Sequence, residues 1–447
     1  MPRRAFVLVP LLLSIATGSL GCAAIAELLR EPEDSIAPFT EPDPLYEDLV
    51  SHYVELCAVS QFRPLDGELG GIPGHAVMYL KGACRDESAA YPRLRPCRRA
   101  SIDPADPEHG AGVSVNRFYK NVNWVATPGK DLFYQGGVGT YELLDAARFD
   151  AAVQQAIDVG IYDGVELHPL RDGGEAPSLR DFVARESAGT DFALRFGRTV
   201  YCTRLPMRPE MLQRAMEYLN GLNDEYFHGE ADYEWSGYAD NCVHTFHNAL
   251  AAAGVWKPKS VRATKLRQLY NVAVPANTVV ELAQLSNEYP IEDYAKIRGD
   301  PLRWRGLTER DWLPAVPGAL MLTLPVHQVN ALYDTKFRMF VLAGWFSNDT
   351  TKQAQRLLGD GRFLQLDANL RYFYRRYTAI LAEGSRDGSW TDSLRSRGFR
   401  SDREVYYDAI ERARREVLAS AERLLELERL RAEMLRDARR EWEARTR

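Results

Sequence analysis

The sequence predicts an α+β protein with a mixed domain over residues 45–290, a helical region over 291–400 and a long charged amphipathic helix over 401–447. Two observations carry this. Short apolar segments of strand length, His75–Leu80 and Val113–Phe118, lie early in the chain beside turn residues, whereas Asp402–Arg447 runs without a Gly or a Pro. Strands interleaved with helices, followed by sustained helical periodicity, give one mixed region and one helical region.

Taken in order, residues 45–60 place Leu45, Leu49, Tyr53 and Leu56 at helical spacing and read as a helix. Gly67–Gly74 is a glycine-rich turn into the strand His75–Leu80, Val113–Phe118 alternates as a second strand, and Trp124–Phe133 adds a third. Helices are expected over Ala146–Val159, Pro209–Leu222 and Cys242–Ala253. Asp240 or Asn241 can cap the start of the last, and Gly254 suits its end. Residues 326–383 read as helical, interrupted at Gly344 and Gly359–Gly361. In the final helix Tyr406, Ile410, Ala413, Val417, Ala421 and Leu424 recur at three- and four-residue steps, one stripe for packing on the domain. Its apolar heptads are not strict, so a coiled-coil or partner-docking arm is the second reading.

Composition narrows the classes. With 447 residues, 45% hydrophobic and 26% charged, the chain is globular rather than disordered. A net charge of −6 lacks the basic footprint of a nucleic-acid binder. Six cysteines are too few for a disulfide-built scaffold.

Residues 1–21 carry Arg3 and Arg4, the apolar run Ala5–Leu13 and a small-residue exit, the pattern of a secretory signal. The run is too short for a membrane span and contains Pro10. The exit Ser19-Leu-Gly-Cys22 resembles a bacterial lipoprotein processing site, which implies lipid on Cys22 and a membrane-anchored lipoprotein of the cell envelope, facing the periplasm or exterior. Residues 22–44, rich in Pro and Glu, then form the lipid-anchored linker. In an oxidising compartment Cys84 and Cys97, flanking a short loop, are the easiest pair to bridge, with Cys57 and Cys202 as the remaining pair. Cys242 is left free by its context.

That context is the first turn of the helix in Asp240-Asn-Cys-Val-His-Thr-Phe-His247. Unpaired N–H groups and a partial positive charge at a helix N-terminus favour the thiolate, the nucleophilic form, and can help hold an oxyanion. The thiol still needs a base. His244 and His247 point about 200° and 140° away from Cys242 on a regular helix, which also weakens a zinc reading of the three. His75 opens a strand and shares a face with Val77 and Tyr79, so an imidazole at a strand edge could meet a helix N-terminus, a Cys–His arrangement. His52, His109, His168, His228 and His327 have no partner pattern. Gly136–Thr140 lacks the Gly-Lys-Ser/Thr ending of a phosphate loop and reads as a turn.

Gly74-His-Ala-Val-Met-Tyr-Leu80, followed much later by Asp240-Asn-Cys242, resembles the circularly permuted papain-like superfamily of bacterial cell-envelope enzymes, in which His precedes Cys. Within it the chain is most similar to the membrane-anchored lipoprotein N-acyltransferase family, through Val200–Leu205, the helix Pro209–Leu222 and the aromatic stretch Tyr233–Tyr238 as well. The resemblance spans roughly residues 60–255. It implies an antiparallel sheet packed on the helix that bears the cysteine, with Cys242 as acyl-accepting nucleophile, His75 as base, and no cofactor or metal. No motif names the group that orients His75; Asn116 is the first choice and Ser114 the second. The expected function is acyl or amide transfer through a Cys242 thioester, with lipoprotein N-acylation as its specific form. The alternatives are a peptidoglycan amidase or endopeptidase, and a non-catalytic envelope lipoprotein that acts in assembly or binds a partner through its last helix. Substrates would be lipid, lipoprotein or peptidoglycan, with no nucleic acid.

Overall fold

Residues 45–60, expected as one helix, divide into a short helix, α1 (Pro44–Leu49), and a central strand, β1 (Tyr53–Val59). The reason is that both strand faces are buried: Val54, Leu56 and Ala58 enter one core, and Tyr53, Cys57 and Val59 enter another. A continuous apolar run of this kind satisfies helical and strand spacing alike. The structure is a computed structural model that describes residues 44–60, 74–139, 142–169, 176–231, 233–236, 240–257, 275–288, 291, 294–313, 315–324, 326–327, 348–386 and 402–446. The expected signal, Cys22, nearly all of the linker and most of the Gly67–Gly74 turn lie outside these residues.

The chain is α+β. Its main sheet has six strands in the order β6-β5-β2-β1-β7-β8, every neighbouring pair antiparallel. The strands are β1, β2 (His75–Lys81), β5 (Gly110–Val115), β6 (Trp124–Pro128), β7 (Val200–Pro206) and β8 (Leu320–Leu324), with β3 (Ala83–Arg85) and β4 (Leu94–Pro96) as a separate ribbon. Trp124–Phe133, expected as one strand, becomes β6 and then helix α2 (Lys130–Gln135) after Gly129. Helices α3 (Ala146–Asp158) and α4 (Leu179–Phe182) precede β7; α5 (Pro209–Phe227) and α6 (Cys242–Ala252) follow it. Next come α7 (Pro275–Asn287), α8 (Tyr294–Gly299), α9 (Pro301–Arg310), α10 (Asn348–Leu358), α11 (Leu366–Arg386) and α12 (Asp402–Thr446). Among the described residues of 291–400, four α-helices and the strand β8 are found, and β8 extends the main sheet beside β7.

Helices cover both faces of the sheet. On one, Ala76, Met78, Leu80, Ala111 and Val113 meet Val243, Phe246 and Leu250 of α6 and Met211, Ala215 and Leu219 of α5. On the other, Val77, Tyr79, Val200 and Leu322 share a core with Leu370, Phe373 and Tyr377 of α11 and Tyr406, Ile410 and Val417 of α12. Gly112 in β5 lets α2 approach: a Cβ there would lie 2.0 Å from the Phe133 ring. A disulfide joins Cys57 to Cys202, directly opposite each other on β1 and β7, and a second joins Cys84 to Cys97.

The second face also buries charge. Glu55 and Arg204, cross-strand partners each 1% exposed, form an ion pair, and Lys130 reaches Glu55 at 3.2 Å and Glu47 at 2.9 Å. Lys81 bonds Glu47 at 2.8 Å, and the Arg204 guanidinium stacks over Tyr46 and Tyr53. His109 bridges Tyr79 and Glu47, at 2.6 and 3.3 Å. Burial would raise the pKa of both carboxyls, but Lys130 and Arg204 hold them below the usual carboxylate range.

Candidate functional site

Helix α6 begins at Cys242 because Asn241 caps it: the Asn241 Oδ1 accepts from the Val243 and His244 N–H groups at 2.9 and 3.2 Å. Strand β2 begins at His75 because Gly74 turns the chain at φ +102°, where a Cβ would lie 2.8 Å from the Val59 carbonyl oxygen. Packing of α6 on β2 brings these two starts together. The Ala76 N–H donates to the Cys242 Sγ at 3.4 Å. Cys242 is the free cysteine among the described residues and is 8% exposed.

The His75 ring has a partner of its own, on the strand face it shares with Val77. Its Nε2 lies 3.0 Å from the Ser114 Oγ on β5, and Ser114 donates to the Asp191 Oδ1 at 2.6 Å. The Asp191 Oδ2 accepts from Asn116 Nδ2 at 3.0 Å and from the Tyr119 hydroxyl at 2.9 Å. Asp191 is fully buried. Asn116, the first choice to orient His75, bonds Asp191 and not the ring. The register explains this: Ser114 pairs with Val77, on the face His75 shares, while β5 ends at Val115 and Asn116 turns into the next loop. No hydrogen bond joins the His75 ring to Cys242 among the described residues; the link between the two residues is the Ala76 amide.

Electrostatics keep both groups neutral at rest. Burial pushes the Cys242 thiol up to about 11, and the N–H groups of Ala76, Val243 and Cys242 itself oppose it only in part. The depressed pKa expected from a helix N-terminus is overturned, because desolvation of the thiolate outweighs the terminal N–H groups. Burial, and after it the Arg198 charge, pushes the His75 imidazole down to about 3. The pair is thiol and imidazole, not thiolate and imidazolium.

No protein-family model, curated protein or solved structure matches this chain. Among the described residues one grouping has metal-ligand spacing, Cys84, Cys97 and Glu108, and its two sulfurs are spent on each other in the disulfide. His244 and His247 turn elsewhere: His244 Nδ1 lies 3.1 Å from the Asn241 Oδ1, and His247 stacks on Trp256 and bonds the Lys257 carbonyl.

Two residues at the site, Asp191 and Arg198, carried no sequence signal, and a third, Tyr233, carried one only as part of an aromatic stretch. Asp191 sits in a polar loop far from both motifs in sequence, and Arg198 is one of many arginines. Tyr233 lies in the aromatic stretch before Asn241. Its hydroxyl is buried without a hydrogen-bond partner among the described residues, and burial, then the charges of Asp240 and Cys242, raises its pKa.

Proposed function

We propose that the protein is a thiol-dependent acyl- or amide-transfer enzyme in which Cys242 is the nucleophile and His75 the general base, on a permuted papain-like arrangement. The observation that carries this is the sulfur at the first turn of α6 receiving the Ala76 N–H, one residue from an imidazole whose Nε2 is held by Ser114. Because the thiol starts neutral and, among the described residues, no hydrogen bond joins it to the ring, His75 Nδ1 must come within reach of the sulfur and take its proton as the sulfur attacks a carbonyl carbon. The leaving group departs with that proton and a thioester remains. An amine or water then attacks the thioester carbon, gives its proton to the same nitrogen, and sulfur leaves to recover the thiol. The Ala76 and Cys242 N–H groups would stabilise negative charge on the way.

Two disulfides support an oxidising compartment outside the cytosol, in keeping with an envelope lipoprotein anchored through Cys22. Lipoprotein N-acylation is the specific activity we favour. The purified chain, incubated separately with diacylated lipoprotein and with cell-wall peptidoglycan, should convert the first and form an acyl adduct on Cys242 visible by mass spectrometry. Cys242→Ala should abolish conversion and adduct while leaving the circular dichroism and thermal transition unchanged. Release of peptides from the wall instead would identify a peptidoglycan amidase or endopeptidase. Undiminished conversion by Cys242→Ala would remove the thiol from the mechanism.

A further inference from the structure

The residues behind His75 form a chain of hydrogen bonds whose direction is dictated by chemistry. Ser114 has one hydroxyl proton and three neighbours: His75 Nε2 at 3.0 Å, Asp191 Oδ1 at 2.6 Å and the Thr190 carbonyl oxygen at 3.2 Å. Two of the three are pure acceptors, an ionised carboxylate and a carbonyl. The proton is therefore committed away from the imidazole, with the charge-assisted bond to Asp191 the shorter of the two. What Ser114 offers His75 is a lone pair, and a lone pair is satisfied only by an Nε2–H. That tautomer leaves Nδ1 as the basic nitrogen.

We propose that Asp191 is a positioning residue that sets the His75 tautomer through the Ser114 hydroxyl. Asp191 is suited to this because its other oxygen is taken by two donors, Asn116 and Tyr119, which fix the carboxyl plane. Its backbone is also held, by the Thr127 hydroxyl donating to its carbonyl at 3.0 Å. Sequence separates Asp191 from Ser114 by 77 residues, so only the fold assembles the relay. The proposal rests on the reading of His75 as base to Cys242, but the tautomer can be measured without any substrate.

The environment makes the relay sensitive to acid. The groups facing Asp191 are the hydroxyls of Ser114, Ser187, Tyr119, Tyr162 and Tyr233, the Asn116 amide, and the Glu186 carboxyl. None of these, among the described residues, is a cation, and burial raises the Asp191 pKa against the hydrogen bonds it accepts. A protonated Asp191 would donate to Ser114, free the Ser114 proton for Nε2 and move the imidazole proton to Nδ1, where it blocks the base.

The test is nitrogen NMR of the full chain labelled at histidine, with the His75 signals assigned by loss in His75→Gln. The wild-type ring should be an Nε2–H tautomer at neutral pH; an Nδ1–H ring would overturn the proposal without recourse to any variant. In Asp191→Asn, the amide oxygen will face the donors Asn116 and Tyr119 and its NH2 will face Ser114, so the ring should shift toward Nδ1–H. An unchanged ring in that variant would equally overturn it. Alkylation of Cys242 gives a second readout. Asp191→Asn and Ser114→Ala should each slow it about a hundredfold, the low end of what general-base assistance contributes, and the double variant should be no slower than either. Losses that add would mean two independent residues rather than one relay. Failure of the acyl-transfer reading would show as activity retained by Cys242→Ala, which leaves the tautomer result untouched.

Discussion

At Cys242 two effects of known sign compete, and burial wins. A sulfur at a helix N-terminus is usually read as an activated thiolate, but this one is shielded from water and its pKa rises to about 11. With the base removed in His75→Gln, reactivity toward iodoacetamide should therefore climb with pH and keep climbing beyond pH 9, where an ordinary thiol with pKa near 8.5 levels off. A rate that levels off below pH 8 would contradict the buried neutral thiol. His75 complements it: an imidazole held down to about 3 is unprotonated, and so able to accept a proton, across the whole neutral range. A site of this kind depends on proton transfer concurrent with attack, which is why the orientation of the imidazole matters more than its charge.

At the scale of elements, the pairing of β1 with β7 carries a buried ion pair. Glu55 and Arg204 oppose each other across the strands, two residue positions from Tyr53 and two from Cys57 and Cys202 on the same face. A buried pair is costly to break from one side because the surviving charge stays desolvated. Arg204→Met should lower the unfolding free energy by about 3–5 kcal/mol, read from the urea midpoint, with Lys130 partly compensating for the lost cation at Glu55. A change under about 0.5 kcal/mol, typical of a surface substitution, would mean the network is solvated. The same burial hides the strand in the sequence. Tyr53-Val-Glu-Leu-Cys-Ala-Val59 buries both faces, so its only polar residue, Glu55, is hidden by a partner 149 residues away. Helix α6, by contrast, was legible from Asn241 to Gly254, because its capping chemistry is local.

For the whole molecule, the Cys57–Cys202 bridge ties residues 145 apart, from β1 to β7, into one loop. The chain-entropy argument gives it about 5 kcal/mol, against about 3 kcal/mol for the 13-residue Cys84–Cys97 loop. Cys57→Ala with Cys202→Ala should therefore lower the urea midpoint more than Cys84→Ala with Cys97→Ala; the reverse order would contradict an unfolded-state effect. The last helix divides in two. Tyr406, Ile410, Val417 and Leu424 are buried against α11 and the sheet, whereas Met434, Leu435 and Trp442 are exposed, Trp442 by 65%. Removing residues 428–446 should leave the thermal transition unchanged, and removing 402–446 should lower it markedly, since only the second deletion uncovers Phe373 and Tyr377.

The sequence by itself determined the parts that local chemistry dictates. These are the strand beginning at His75, the capped helix beginning at Cys242, and the long amphipathic stripe from Tyr406 to Leu424. Each rests on periodicity, capping or a turn residue, which a few neighbouring positions are enough to specify. The tertiary structure alone decided which side chain meets His75, that Asp191 stands behind it, and that the thiol pKa rises rather than falls. Those outcomes depend on strand register and on the desolvation produced by packing elements far apart in the chain, and neither quantity is carried by any local run of residues.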